Sequence, residues 1–183
     1  SATADHVNAT PSDGAQPSIL LILCADALAG IILFFVFGAL YSRLVLVKYP
    51  KRFPLRPSPA VVMLQGDNVV CAIFKVSCAN FWLSFACMGV RAAHTLHITG
   101  VLHYWKGLAS MIFAPCCTLL YVNSCTDLKE KLAGRKQDCC MAAVGACCFP
   151  CCVVAQDAQS LDLMTGATTG ICSVTLPDDE AAS

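Results

Sequence analysis

CCMAAVGACCFPCCVV, residues 139 to 154, sets six cysteines within fourteen positions of an uncharged, apolar run. Thiols at that density serve as disulfide halves, metal ligands, redox centres or small apolar packing groups, and the solvent around the segment decides among them. Composition speaks to that solvent. The chain has 183 residues, 57% of them hydrophobic and 13% charged, with 14 cysteines and a formal net charge of zero. Soluble chains carry about 25% charged residues, so much of this surface is expected to face lipid. The neutral balance and the lack of a basic, aromatic stripe give no reason to expect nucleic acid as a partner.

The strongest apolar segment is Ile19 to Tyr41, twenty-three residues interrupted by one charge, Asp26. As a helix it is long enough to cross a hydrocarbon layer of ~30 Å, and it reads as a transmembrane helix. No basic residue precedes it and a polar tail of eighteen residues does, which fits a signal peptide poorly. Three weaker runs follow: Val69 to Val90 with Lys75 inside, and Leu108 to Cys125 and Cys139 to Ala155 without charge. Each is near the minimum span of about 17 residues, and two of them read equally as re-entrant or interfacial hairpins. The expected fold class is all-α: a small helical integral membrane protein with up to four apolar helices and a Cys-rich, Pro-kinked C-terminal segment. Its expected parts are a polar tail (1–18), a transmembrane helix (19–41), a basic loop (42–68), a Cys-rich membrane domain (69–163) and an acidic tail (164–183).

Short cytoplasmic loops collect Lys and Arg, which tests the four-helix reading. With four crossings, segments 42–68 and 126–138 share one side and hold nine of the twelve basic residues. The opposite side holds Arg91 and Lys106, while both ends carry acids only: Asp5, Asp13, Asp157, Asp162, Asp178, Asp179 and Glu180. The basic loops are therefore expected on the cytoplasmic, stromal or matrix side, with both ends across the membrane. Arg43, Lys48, Lys51, Arg52 and Arg56 are expected to rest on anionic headgroups.

Asp26 lies within the first helix, where an ionised carboxylate costs about 2–3 kcal/mol on insertion scales, so it needs a partner, water or a proton. Lys75 is a candidate partner and a cation path the sharper use; snorkelling to an interface is the plainer one. Small residues Ala25, Ala29, Gly30 and Gly38, and Ala142 with Ala146, permit close helix approach. His94 and His97 would share a helix face and so are candidate ligands for a metal or a pigment ion. His103, Tyr104 and Trp105 nearby also suit simple interfacial placement. Asn8-Ala9-Thr10 satisfies a glycosylation sequon.

On one helix Cys140, Cys147 and Cys151 fall within about 40° of one another, with Cys148 and Cys152 widening the stripe. Pro150 lacks an amide hydrogen and crowds the carbonyl of Ala146, so the helix is expected to bend or break between the cysteine pairs. Cys148 and Cys151 form a C-x-x-C pair, a spacing suited to a soft metal or to dithiol chemistry, and Cys116, Cys117 or Cys139 would complete four sulfurs. Packing as small hydrophobes is the plainer role. A secreted-type disulfide framework fits less well, since these thiols lie in apolar runs.

The run Asp138-Cys139-Cys140, then Cys147-Cys148-Phe149-Pro150-Cys151-Cys152-Val153-Val154-Ala155-Gln156-Asp157, then Leu161, resembles the second half of the Cys-rich domain of the placenta-specific-eight family. That family includes cornifelin, the plant cadmium-resistance proteins and the fruit-weight cell-number regulators. Gln156 and Asp157 stand where its Gln-Glu pair belongs, and the basic stretch Asp127 to Lys136 also fits. Its early Cys-Pro-Cys appears here as Cys87-Met88-Gly89, followed by Arg91, one cysteine and the proline short. The resemblance covers residues 70 to 163. It implies a small, self-associating membrane protein linked to divalent ions such as cadmium and zinc, and to cell number, with no enzymatic activity.

No G-x-S-x-G, G-x-x-x-x-G-K or H-E-x-x-H occurs in the chain. Two function classes are expected. One is an oligomeric membrane protein handling or conducting divalent cations, with Asp26 in the path and zinc or another soft divalent metal on Cys140, Cys147, Cys148, Cys151 and Cys152. The other is a non-catalytic accessory subunit of a larger membrane complex, respiratory or photosynthetic, in which the cysteines only pack. Partners in either case are the lipid bilayer and further membrane subunits, of this chain or others.

Overall fold

The structure, a computed structural model, describes residues 19–50, 58–66, 73–170 and 173–176. It is almost wholly helical, and it falls into two compact units, Ser1–Phe35 and Val36–Ser183. Helix α1 (Ile19–Tyr41) begins in the first unit, where every side chain from residue 19 to 30 is exposed. A π-helical turn, Ser42–Leu46, prolongs it. Together they make 28 residues, long and apolar enough to cross a membrane.

In the second unit α2 (Pro59–Gly66) and a 3-10 turn (Ile73–Lys75) precede α3 (Cys78–Ala86), α4 (Met88–Ile98), α5 (Tyr104–Phe113) and α6 (Pro115–Cys125). A short α7 (Leu128–Lys131), then α8 (Cys139–Cys148) and α9 (Pro150–Thr165), complete the helices. Strands β1 (Thr168–Thr169) and β2 (Val174–Thr175) pair antiparallel, Thr168 opposite Thr175. The segment expected as an acidic tail from residue 164 is thus folded in part, with Met164, Ala167 and Thr169 buried.

The three later apolar runs are not single helices, so α1 is the one unbroken candidate span among the described residues. A second arises only if the pair α8 and α9, bent by 107°, counts as one crossing. Each run holds a one-residue break between two helices, the first being interrupted also between Lys75 and Cys78, and the three breaks share a conformation: Cys87 (φ −133°, ψ 45°), Ala114 (φ −147°, ψ 64°) and Phe149 (φ −134°, ψ 46°). Ala114 and Phe149 precede prolines, whose rings crowd the helical region for the residue before them. Pro115 and Pro150 then open the next helix at a position where a missing N–H costs nothing. The expected break at Pro150 is therefore present. Cys87 breaks in the same way with Met88 in the proline's place.

At each tip the break residue itself is bonded on both sides. The N–H of Cys87 donates to Leu83 O (2.8 Å), that of Ala114 to Ser110 O (2.9 Å) and that of Phe149 to Gly145 O (3.0 Å). The carbonyl of each break residue accepts from the following helix, from Arg91, Thr118 and Val153 respectively. Each pair (α3–α4, α5–α6, α8–α9) is thus a helical wedge closed at its tip.

The tips gather at one end around Ala92, Met111, Leu119, Ala146 and Val154, all within five residues of a break, with Met88 and Leu120 packed against them. At Gly145 an added Cβ would lie 3.1 Å from Val153 Cγ2, so the α8–α9 wedge closes tightly here and a larger residue would push Val153 aside by a few tenths of an ångström. The other end, the base, is built on Tyr49, Val61, Leu96, Val122, Leu128, Leu132, Leu161 and Met164. There the chain turns between α4 and α5 through Gly100, whose φ of +71° favours a residue without a side chain. Lys131 Nζ donates to Thr99 O (3.0 Å), tying this turn to α7.

Candidate functional site

Helix α9 runs through the middle of the second unit, with ten of its sixteen residues buried. Two of them are carboxylates. Asp162 accepts at Oδ1 from Arg91 Nη2 (2.8 Å), Tyr49 Oη (2.7 Å) and Thr169 Oγ1 (2.9 Å), and at Oδ2 from Asn80 Nδ2 (2.8 Å). Arg91 is 0% exposed. Its remaining N–H groups reach Asn80 Oδ1 (3.0 Å), Ala158 O (3.3 Å), His94 Nδ1 (2.7 Å) and Tyr41 Oη (3.4 Å), so its five donors each have an acceptor. Asp157, on the far side of α9, pairs with buried Lys129 and accepts from Gln65 Nε2 (3.3 Å). Its neighbour Gln156 donates to Leu64 O (2.7 Å).

Gln156, Asp157 and the basic stretch before the cysteines, which carried the family resemblance, thus meet in space and bracket α2 and α7 against α9. The sequence set Asp157 and Asp162 among acidic termini and Lys129 in a basic loop, residues 126–138, on the cytoplasmic, stromal or matrix side. All three are buried ion-pair partners. The cue was present in Asp157 and Asp162 lying within a run whose apolar residues Val153, Val154, Ala155, Ala158 and Leu161 surround them.

His94 is fully buried between Tyr41 and Tyr49, its ring centroid 5.6 and 4.5 Å from theirs. A guanidinium can only donate, so Nδ1 accepts from Arg91 and the ring proton sits on Nε2, which has no partner. Its expected role as a metal or pigment ligand would place a cation beside a fixed guanidinium. His97 is half-buried, accepting at Nδ1 from Tyr104 N–H (3.3 Å) and packed on His103. Desolvation, then the charge of Arg91, then His97, hold the His94 imidazole well below its ordinary value.

The cysteines lie elsewhere. The break at Phe149 divides the expected single stripe: Cys140, Cys147 and Cys148 are exposed on α8, while Cys151 and Cys152 are half-buried on α9. Cys116, Cys117 and Cys148 act electrostatically on Cys147, so the start of α6 lies near the end of α8. No disulfide joins the described cysteines. Among the described residues no three His, Cys, Asp or Glu side chains are disposed to hold one metal ion.

Asp26 is exposed on α1 in the first unit, and Lys75 stands exposed in the 3-10 turn of the second, not within a membrane-length helix. Arg43 and Lys48 are exposed after α1, whereas Lys51, Arg52, Arg56 and the sequon at Asn8 lie outside the described residues. Gly38 and the pair Ala142 and Ala146 do serve close packing. Gly38 is buried under Leu108 and accepts from Tyr104 Oη (2.8 Å), and both alanines are at most 1% exposed.

No family model, curated protein or solved structure matches the chain.

Replacing Arg91 with Met leaves Asp162 charged and buried. The expected loss is about 3–5 kcal/mol, and Arg91→Met combined with Asp162→Leu is expected to recover only the part due to the unpaired carboxylate, since Asn80, Tyr49, Thr169 and His94 each lose a partner in it. Unfolding in detergent, followed by circular dichroism, measures both. His94 makes a second test. Unfolded, the imidazole takes up a proton near pH ~6.5, and folded it does not, so stability falls as pH drops below that value. The expected slope is about 1.4 kcal/mol per pH unit until the lowered folded value is reached, and His94→Gln should remove that share of the slope.

Proposed function

We propose that the protein is a non-catalytic, architectural membrane protein of the placenta-specific-eight-like kind. Helix α1 crosses the bilayer, and the second unit seats its three wedge tips in one leaflet. One observation carries this reading: exposed charge in the second unit keeps away from the three tips, which leave apolar side chains open. Phe85 (63% exposed), Phe113 (73%) and Phe149 (41%) stand open at or next to the three breaks. The only charge within five residues of any break is Arg91, which is turned inward on Asp162. Exposed charges collect at the base, on Asp127, Glu130, Lys131, Arg135 and Lys136.

Backbone economy supports the same placement. In hydrocarbon every N–H and C=O needs an internal partner; at two of the tips proline removes one N–H from the start of the second helix, and at all three the break residue's own N–H and C=O are bonded within the wedge. A single crossing by α8 and α9 is the less favourable arrangement, because α9 is enclosed by its own domain from Val153 to Asp162. Arg43 and Lys48 at the end of α1, and the cations of the base, then meet anionic headgroups on the side that collects positive charge.

A second reading, handling of soft divalent cations such as zinc, rests on the meeting of Cys116 and Cys117 with Cys147 and Cys148 and on Asp26 within α1. Thiolate pairs from two helices are the donor set such an ion takes. Native mass spectrometry of the full chain, gently solubilised and incubated with zinc, tests it. Stoichiometric zinc on a homo-oligomer favours this reading; a metal-free chain, alone or with companion subunits, favours the architectural one.

The seating itself is read by fluorescence. The chain has two tryptophans, Trp82 (55% exposed) and Trp105 (42% exposed), on α3 and at the start of α5. In vesicles, Trp82 of a Trp105→Phe variant is expected to be quenched by lipids brominated on their acyl chains and protected from aqueous iodide. Iodide quenching without bromolipid quenching would contradict the proposal.

A further inference from the structure

We infer that the paired thiols at two wedge tips, Cys116–Cys117 and Cys147–Cys148, are a site of S-acylation, each taking a long-chain fatty acyl group as a thioester. The inference rests on the seating of the tips in a leaflet and adds a covalent modification to it.

Three observations meet at this place. The thiols are accessible: Cys117, Cys147 and Cys148 are exposed and Cys116 is half-exposed, in a unit that buries Arg91 and Lys129 completely. They are assembled from separate parts of the chain, since Cys116 and Cys117 open α6 directly after one tip and Cys147 and Cys148 end α8 directly before another, with Cys116 and Cys117 as neighbours of Cys147. Their surroundings are those an acyl chain would lie on. Met141 (57% exposed), Val144 (50%) and Cys148 follow one another at helical spacing along α8, as Cys117, Tyr121 (56%) and Cys125 do along α6. Neither helix carries a charged residue. Cysteines beside a membrane helix, on a surface of this kind, are where reversible acylation occurs.

The donor is a long-chain acyl-coenzyme A. The cysteine thiol gives up its proton, Sγ attacks the acyl carbonyl carbon, and the new Sγ–C bond forms as the coenzyme's S–C bond breaks. Coenzyme A leaves as the thiol, carrying the proton, and no electrons are transferred. A chain attached there enters the leaflet from the tips themselves, holding the second unit on the membrane independently of α1. Stable anchoring by acyl chains takes more than one, which a cluster of thiols supplies and a single cysteine does not. A thioester also removes the thiolate that a metal would need, so acylation and soft-metal binding at these sulfurs exclude each other on one molecule.

The test uses the full chain produced in eukaryotic cells fed an alkyne-tagged palmitate analogue and isolated with the membrane fraction. The wild-type chain is expected to carry label released by neutral hydroxylamine, with matching acyl adducts in its intact mass. Cys116→Ala with Cys117→Ala, or Cys147→Ala with Cys148→Ala, should each lose part of the label. All four together should lose it to background, while Cys78→Ala with Cys125→Ala keeps it. An intact mass without acyl adducts, thiols blocked in a form released by dithiothreitol and not by hydroxylamine, or zinc bound to four unmodified thiols would each overturn the inference. Alkaline carbonate extraction and Trp82 quenching on the same sample separate the two proposals. An unlabelled chain that stays in the carbonate pellet with Trp82 in lipid refutes acylation alone, whereas a chain found in the supernatant refutes the seating beneath it.

Discussion

The second unit depends on burying the Arg91–Asp162 pair. Taking two such charges out of water costs several kcal/mol per ion, which mutual attraction offsets only when every remaining donor and acceptor is also matched. Here the match draws on five separate parts of the chain: Tyr41 and Tyr49 after the first helix, Asn80 on α3, His94 on α4, α9 itself, and Thr169 on β1. Lysine would not serve, because a compact ammonium cannot present five donors in a fixed fork. Each of those parts is therefore held in register by one side chain, and a shift in any of them leaves a polar group buried without a partner.

Asp157 extends the constraint to the opposite side. Five residues along a helix turn through about 500°, so Asp157 and Asp162 point about 140° apart, and α9 is clamped from two directions. Lys129 and Gln65 close on one side, Arg91 and Asn80 on the other. A helix held this way is a fixed axis, and the wedges are positioned against it. Their uncharged tips follow from the same arrangement, since Arg91, Asp157 and Asp162 have been turned inward and the one exposed charge on the wedge helices, Lys106, lies at the start of α5, away from its break. The apolar side chains left outside are the surface that the proposed seating in a leaflet would cover.

Much of this was legible in the sequence, and the misreadings have a common cause. Composition foretold a helical chain with an apolar exterior, the long run at Ile19 to Tyr41 foretold α1, and Pro150 foretold a break between cysteine pairs. Windows of uniform hydropathy do not show where a helix stops, so the three later runs read as crossings or as re-entrant hairpins alike, and the breaks inside them stayed hidden except at Pro150. Pro115 was as good a cue as Pro150, whereas at Cys87 no proline follows, and only the family resemblance, which sets Met88 where a proline belongs, marked the place. Charges misled in a related way. Counting Asp157, Asp162 and Lys129 by sign and position assumes that they face water, and only the fold reveals that each faces another. His94 belongs with them: beside His97 it resembled a ligand pair, but its Nδ1 is occupied by a guanidinium.

The question posed by six cysteines in an apolar run is answered in part by where the breaks fall. Paired cysteines flank both proline breaks, Cys116 and Cys117 after Pro115, and Cys147, Cys148, Cys151 and Cys152 around Pro150. A one-residue break brings two helix ends together, leaving little room for large side chains, and a thiol is small, polarisable and only weakly polar. Alanine would satisfy the same steric demand, and serine would fill the volume at the cost of an unpaired hydroxyl in an apolar setting. Packing therefore accounts for Cys151 and Cys152, which are half-buried between the wedge and its core. It does not account for Cys117, Cys147 and Cys148, which are exposed and contribute little to any core. For these the distinguishing property of cysteine over alanine is its nucleophilic sulfur, and chemistry at that sulfur is what the geometry of the tips leaves to be explained.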